Sequence, residues 1–274
     1  MSYKTILMHV DGSTHDPACI ALASVLALQY EAHLIGAALT GVSRFFYQES
    51  GADLMRTVLA PYMDELFRKR QAALDRFEGL AAAASVRSYE KRLIDDEAAA
   101  GLVLAARYAD LVVLGQADPG APAAPGGALA ASVLLTCPRP LLVVPYVQGD
   151  SATGRRVLVA WNGSSQAMRA VNAALPFLRR ADSVTVAMFS TPHEPLAADP
   201  DLALYLKRHG VDGEIVHMAT DRDVGAALLS LVADQDADLL VMGGYGRTRL
   251  RELLLGGVTR SVMEAMTVPA LFTH

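Results

Sequence analysis

Asp238-Leu239-Leu240-Val241-Met242, followed by Gly243-Gly244-Tyr245-Gly246-Arg247-Thr248-Arg249, is the stretch on which the reading of this chain turns. One acid opens a continuous apolar run, the pattern of a parallel strand buried on both faces. Glycines directly after such a strand let backbone N–H groups approach a ligand. A helix start beyond them adds partial positive charge, which suits an anion such as phosphate. Arg247, Arg249 and Arg251 supply cations for charge-assisted contacts. The glycines continue with a defined spacing: Gly243, two residues, Gly246, nine residues, Gly256, then Gly257-Val258-Thr259. This is not a P-loop, which ends in Gly-Lys-Ser/Thr, nor a G-x-G-x-x-G dinucleotide turn. The competing reading is a strand-to-helix connection rich in glycine for tight packing alone.

The rest of the chain repeats the pattern. Ile6-Leu7-Met8-His9-Val10-Asp11-Gly12-Ser13 matches Val157-Leu158-Val159-Ala160-Trp161-Asn162-Gly163-Ser164. Each is an apolar strand that breaks at an Asp/Asn-Gly-Ser turn and leads into an Ala/Leu-rich helix, near residues 16–30 and 165–179. Ala109-Asp110-Leu111-Val112-Val113-Leu114-Gly115 matches Ala237-Asp238-Leu239-Leu240-Val241-Met242-Gly243, and Arg139-Pro140-Leu141-Leu142-Val143-Val144 matches Val268-Pro269-Ala270-Leu271-Phe272. The order is the same in both halves. A chain of 274 residues suits two domains of ordinary size. The small, polar run Gln148-Gly149-Asp150-Ser151-Ala152-Thr153-Gly154 reads as the linker. Each half alternates strand and helix, which implies a parallel sheet covered by helices on both faces, with any ligand beyond the carboxyl ends of the strands.

These features resemble the universal stress protein family, whose ATP-binding signature is G-x2-G-x9-G followed by Ser or Thr. Gly257 stands here at that last position. The resemblance covers nearly the whole chain and implies a tandem member. It implies two Rossmann-like, adenine nucleotide alpha hydrolase-like α/β domains with five-stranded parallel sheets, at residues 1–148 and 154–274, packed as an internal pseudo-dimer. It also implies a stress-response sensor or regulator that binds ATP, with or without Mg²⁺, or a related adenine nucleotide. The residues it assigns to the nucleotide lie in the second domain: Ala160, Asn162, Phe189, Met242, Gly243, Gly246, Arg247, Gly256, Gly257, Val258 and Thr259. No metal ligand is assigned.

The halves are not equivalent. The first keeps the acid, Asp11, which in this family lies near the ribose or a divalent metal, but its loop after Gly115 reads Gln116-Ala117-Asp118-Pro119-Gly120-Ala121-Pro122. Asp118 takes the second glycine position, where its charge would repel a polyphosphate, and the prolines remove backbone donors. The first domain is therefore expected to be a degenerate structural partner. The second keeps the loop, but Asn162 replaces the acid and carries no charge for a cation.

Other groups read more plainly. Ser13 and Ser164 are expected to cap helices. Asp95-Asp96-Glu97 and Asp221-Arg222-Asp223 precede helices and complement their dipoles. Leu59, Tyr62, Met63, Leu66, Ala73, Leu74 and Phe77 recur near helical spacing and are expected to face a core. The seven histidines show no metal-ligand spacing, and His9 reads as a buried strand residue. Cys19 and Cys137 read as reduced thiols. No catalytic set is legible, so slow ATP hydrolysis is the most that could be expected. A net charge of −5 argues against nucleic acid. Neither an uninterrupted apolar run of about 18 residues nor a signal-peptide core is present, which leads to the expectation of a cytoplasmic protein. A homodimer is compatible with this reading, and the protein partner is unknown. Two alternatives stay open: an interaction module that binds no nucleotide, and a binder of another small ligand in the first domain.

Overall fold

The structure is a computed structural model. It describes residues 2–43, 52–117, 126–147, 153–190, 200–220, 223–245 and 257–274, with backbone alone for 52–59 and 126–128. It separates into two compact units, one of residues 2–115 and 128–139, the other of 116–127 and 140–274.

In the first unit, strands β1 (Thr5–His9), β2 (His33–Leu39), β3 (Tyr89–Ile94) and β4 (Leu111–Gly115) run parallel. Their order across the sheet is β3-β2-β1-β4. Helices α1 (Asp16–Tyr30), α2 (Ala52–Ala83), α3 (Ala98–Ala105) and α4 (Gly126–Thr136) alternate with them. The central strands are buried along their apolar runs, with Ile6, Leu7, Val112 and Val113 fully sequestered. Residues covered on both faces have no need of alternation.

The second unit holds β5 (Leu141–Val144), β6 (Arg156–Trp161), β7 (Ser183–Ser190), β8 (Glu214–Ala219), β9 (Leu239–Gly243) and β10 (Ala270–Thr273). Its helices are α5 (Ser165–Leu178), α6 (Pro200–Arg208), α7 (Val224–Asp234) and α8 (Val258–Ala265). Strands β10, β9, β6, β7 and β8 are parallel neighbours. β5 joins them through an antiparallel pairing with β10, in which Leu142 faces Leu271. These are the two Pro-led strands of the repeat, and each is buried throughout.

The repeated Ala-Asp pair has a structural role in both units. The Asp110 carboxylate accepts the N–H groups of Lys4 and Thr5 at 2.7 and 3.0 Å. The Asp238 carboxylate accepts those of Gly154, Arg155 and Arg156 at 2.8–3.2 Å. Each acid thereby ties the start of one strand to the start of its neighbour.

Two expectations shift. Ser164 caps α5, its Oγ accepting the Ala167 N–H at 3.1 Å, but Ser13 does not cap α1. That helix starts at Asp16, and the Ser13 Oγ accepts the nearer His15 N–H at 3.3 Å. On α2, Ala73, Leu74 and Phe77 are buried as expected, whereas Tyr62 is 61% exposed and Met63 and Leu66 are half-buried. In the C-terminal part of this long helix the Phe77 ring lies against Gly36 of β2. Cys19 and Cys137 are free thiols, the first buried and the second half-buried. The linker run 148–152 lies outside the described residues. Among those described, no helix is long and apolar enough to cross a membrane.

Candidate functional site

The carboxyl ends of β6, β7 and β9 lie side by side. Register places Ala160 opposite Met242 on one side and Ala187 on the other, and Trp161 opposite Met188. Leaving β6, the chain turns at Asn162-Gly163-Ser164, where Gly163 takes a φ of +70°. That left-handed backbone suits glycine. The Asn162 Oδ1 accepts the Ser164 N–H at 3.1 Å, an Asx turn, and Ser164 then caps α5. Gly243 ends β9 against the start of this helix. A Cβ there would stand 2.6 Å from the Ala167 nitrogen and 2.6 Å from the Gln166 carbonyl carbon. Only glycine permits that approach of backbone to backbone.

The loop after β9 is anchored at both sides. The Gly244 N–H donates to the Thr273 carbonyl at 2.7 Å, and the Tyr245 N–H donates to the Thr259 Oγ1 at 3.1 Å. Gly257 is the N-cap residue of α8 and brings no side-chain oxygen to it. The opening turn of that helix is consequently left without a side-chain cap.

These elements enclose a pocket of about 310 Å³ lined by Ala160, Trp161, Asn162, Ser164, Gln166, Phe189, Val224, Leu228, Met242, Gly243, Val258 and Thr259. Seven of the residues expected at a nucleotide site are among them. Gly257 directly precedes the lining pair Val258-Thr259. Gly246, Arg247 and Gly256 lie outside the described residues, as do Arg249, Arg251, Asp118 and Asp221. Gln166, Val224 and Leu228 were not legible in the sequence as site residues. Asp223 marks the start of α7, its Oδ1 accepting the Ala226 N–H at 2.9 Å, and Val224 and Leu228 follow one turn apart on the pocket side. No motif signals that face. The described wall is apolar and polar, without a charged side chain.

The corresponding turn of the first unit is built differently. The Asp11 Oδ1 accepts the Ser13 N–H at 2.7 Å, the same Asx turn. Asp16, 4% exposed, folds its carboxylate back onto the turn, accepting the N–H groups of Gly12 at 2.8 Å and Asp11 at 3.3 Å. Burial and the neighbouring Asp11 charge push the Asp16 carboxyl up to about 7. Burial also tends to raise Asp11, but hydrogen bonds from Ser13 outweigh it and hold Asp11 below the usual carboxylate value. Burial lowers the half-buried His9 to about 4, so its ring is neutral at physiological pH. The Arg70 guanidinium of α2 donates to the Asp11 carbonyl. At Gly115, the counterpart of Gly243, the space for a Cβ is bounded by the His15 ring at 2.9 Å and the Cys19 Sγ at 3.2 Å, both side-chain atoms.

Fold and site together define a Rossmann-like α/β protein whose crevice opens at the carboxyl ends of its parallel strands. The chain belongs to the universal stress protein family, whose family model matches it twice, at residues 2–145 and 154–274. A universal stress protein of Synechocystis sp. is 26% identical over 168 residues, covering 59% of this chain and 57% of that one. One of Methanocaldococcus jannaschii is 36% identical over 44 residues, covering 16% and 27%. The chain thus spans little more than half of the first relative and about a quarter of the second. Among solved structures, a universal stress protein of Archaeoglobus fulgidus superposes over 98% of this chain and 95% of its own, with a TM-score of 0.74 at 16% identity. A functionally unknown protein of Pseudomonas aeruginosa matches over 99% and 92%, with a TM-score of 0.59 at 14% identity. At these identities the likeness is one of fold.

Proposed function

We propose that the second domain, residues 154–274, binds an adenine nucleotide, ATP or a close relative, in the pocket at the ends of β6, β7 and β9. We further propose that the bound state biases contact with a protein partner during stress. The observation that carries this reading is convergence. Residues from four separated stretches, Ala160–Asn162, Phe189, Met242–Gly243 and Val258–Thr259, meet around one cavity in a chain of this family. Trp161 and Phe189 offer apolar surface for a base, and Asn162 and Thr259 offer polar groups beside it. The start of α8 has no side-chain cap, and its first residues, Val258 and Thr259, border the same space, where an anionic oxygen is favoured. The arginines of the Gly243–Gly257 loop are the sequence's supply of phosphate partners. The first domain, residues 1–148, has the acid but lacks the glycine loop, and serves in this reading as a structural partner.

The test is the ligand content of the purified full chain, read by mass spectrometry of the denatured supernatant, with ATP titrated calorimetrically into ligand-free protein. Adenine nucleotide near one per chain, or a saturable heat with that stoichiometry, supports the reading. Neither would move the protein to an interaction module whose loop is inherited architecture. Gly246→Asp places a carboxylate where the phosphates would approach, and should abolish the heat.

A further inference from the structure

Resting on the nucleotide reading above, we infer that the second-domain site holds its nucleotide without a divalent cation. Mg²⁺ is a hard ion that takes oxygen ligands, carboxylates foremost. The described wall of the pocket offers none. Among the described residues no three His, Cys, Asp or Glu side chains gather anywhere as a metal site.

The decisive group is Asn162. Its Oδ1 is engaged by the Ser164 N–H at 3.1 Å. A backbone N–H can only donate, so the oxygen of the amide faces the turn and carries no formal charge for a cation, and the remaining polar atom of Asn162, Nδ2, is a donor. Two N–H donors repel a cation and suit a negatively charged oxygen. Thr259 repeats the arrangement. Its Oγ1 already accepts the Tyr245 N–H at 3.1 Å, so the hydroxyl proton is left to donate. Gly257 adds no oxygen, and α8 adds N–H groups. Asn162, Thr259 and the start of α8 thus each bring a donor and none brings a charged oxygen. Such a set can bind anionic oxygen directly, doing for the phosphates what a metal ion would otherwise do.

The first domain supplies the contrast within the same chain. Asp11 makes the identical turn, with its Oδ1 on the Ser13 N–H at 2.7 Å, and retains a second, charged carboxylate oxygen. An aspartate is accordingly compatible with this turn, and Asn162→Asp changes the chemistry without removing the geometry.

The test is calorimetric titration of ADP and ATP into the full chain, once with EDTA and once with excess Mg²⁺, for the parent and for Asn162→Asp. The parent should bind in EDTA, with affinity unchanged by Mg²⁺ to within about twofold. Asn162→Asp should bind roughly tenfold more weakly in EDTA and recover with Mg²⁺, since its carboxylate repels phosphate until a cation bridges them. A parent that binds tenfold tighter with Mg²⁺ overturns the inference and leaves the nucleotide site standing. Absence of binding by the parent in both conditions overturns the site itself, and the inference with it.

Discussion

The two Asx-Gly-Ser turns share a backbone and differ in what surrounds them. At Asp11-Gly12-Ser13 the turn is occupied from within: the Asp16 carboxylate takes two of its N–H groups and Arg70 takes the Asp11 carbonyl. At Asn162-Gly163-Ser164 the position of Asp16 is held by Ala167, whose N–H is used by the Ser164 cap, and the turn borders a cavity. One repeat has turned its polar groups inward to stabilise itself, while its sister has left them facing a pocket. A duplicated unit can thus keep its sheet and the backbone of its turn while the side chains around that turn diverge, because a fold constrains its core more tightly than its loops.

The sharpest way to break this comparison is at the paired glycines. Gly243→Ala forces a methyl to within 2.6 Å of the Gln166–Ala167 backbone, which cannot move without displacing α5. It should cost about 3 kcal/mol, read by thermal or urea denaturation. Gly115→Ala meets the His15 and Cys19 side chains, which can rotate, and should cost about 1 kcal/mol. Equal losses would mean the two strand ends are packed alike.

Next come the strand-tying acids. Asp238 serves three backbone N–H groups and Asp110 two. Asp238→Asn should cost about 2 kcal/mol and Asp110→Asn about 1 kcal/mol, since charge-assisted bonds are lost in both. The reverse order in denaturation experiments would refute this account of the repeated Ala-Asp pair.

The inward-turned carboxylate gives a pH signature. Asp16 titrates near 7 in the folded chain and near 4 when unfolded. The native state holds that proton more tightly, so its contribution is fully present below about pH 4 and is lost as pH rises through about 7. His9 acts in the opposite sense. Its folded value near 4 lies below the unfolded one near 6.5, so stability falls as pH drops through that window. The two partly cancel in the parent, and the informative quantity is a difference. Relative to Asp16→Asn, the parent should lose about 3 kcal/mol between pH 4 and 7. Parallel stability curves for the two proteins would contradict the assignment.

The smallest effect is at the caps. Ser164→Ala removes a true N-cap and should cost about 1 kcal/mol, whereas Ser13→Ala removes no cap, loses the 3.3 Å bond to His15 and the hydroxyl's bond to Asp11, and should cost about 0.5 kcal/mol.

Much of this was legible in the sequence, for identifiable reasons. The Asp-led apolar runs at Leu111–Gly115 and Leu239–Gly243 are too apolar for anything but doubly covered strands, and they fall at matching places in the repeat. The turn and loop residues carry their own signals, and they assembled the polar side of the pocket. What escaped was set by tertiary context. Tyr62 has helical spacing, yet it stands exposed on α2, because spacing names a face and not what covers it. Ser13 matches Ser164 in sequence, yet Asp16 and Pro17 delay the helix start, and the cap is lost. Val224 and Leu228 reach the pocket from α7, an element whose own pattern declares only that one side is apolar. The antiparallel pairing of β5 with β10 joins strands far apart in sequence, which no local signal records.

The most direct test of the central claim is photolabelling of the full chain with 8-azido-ATP, followed by peptide mapping. The account predicts labelling of peptides that carry Trp161–Gln166, Phe189 or Val258–Thr259, protected by excess ATP and absent in Gly246→Asp. Label on the Asp11–Asp16 peptide instead, or label that ATP does not displace, would contradict it.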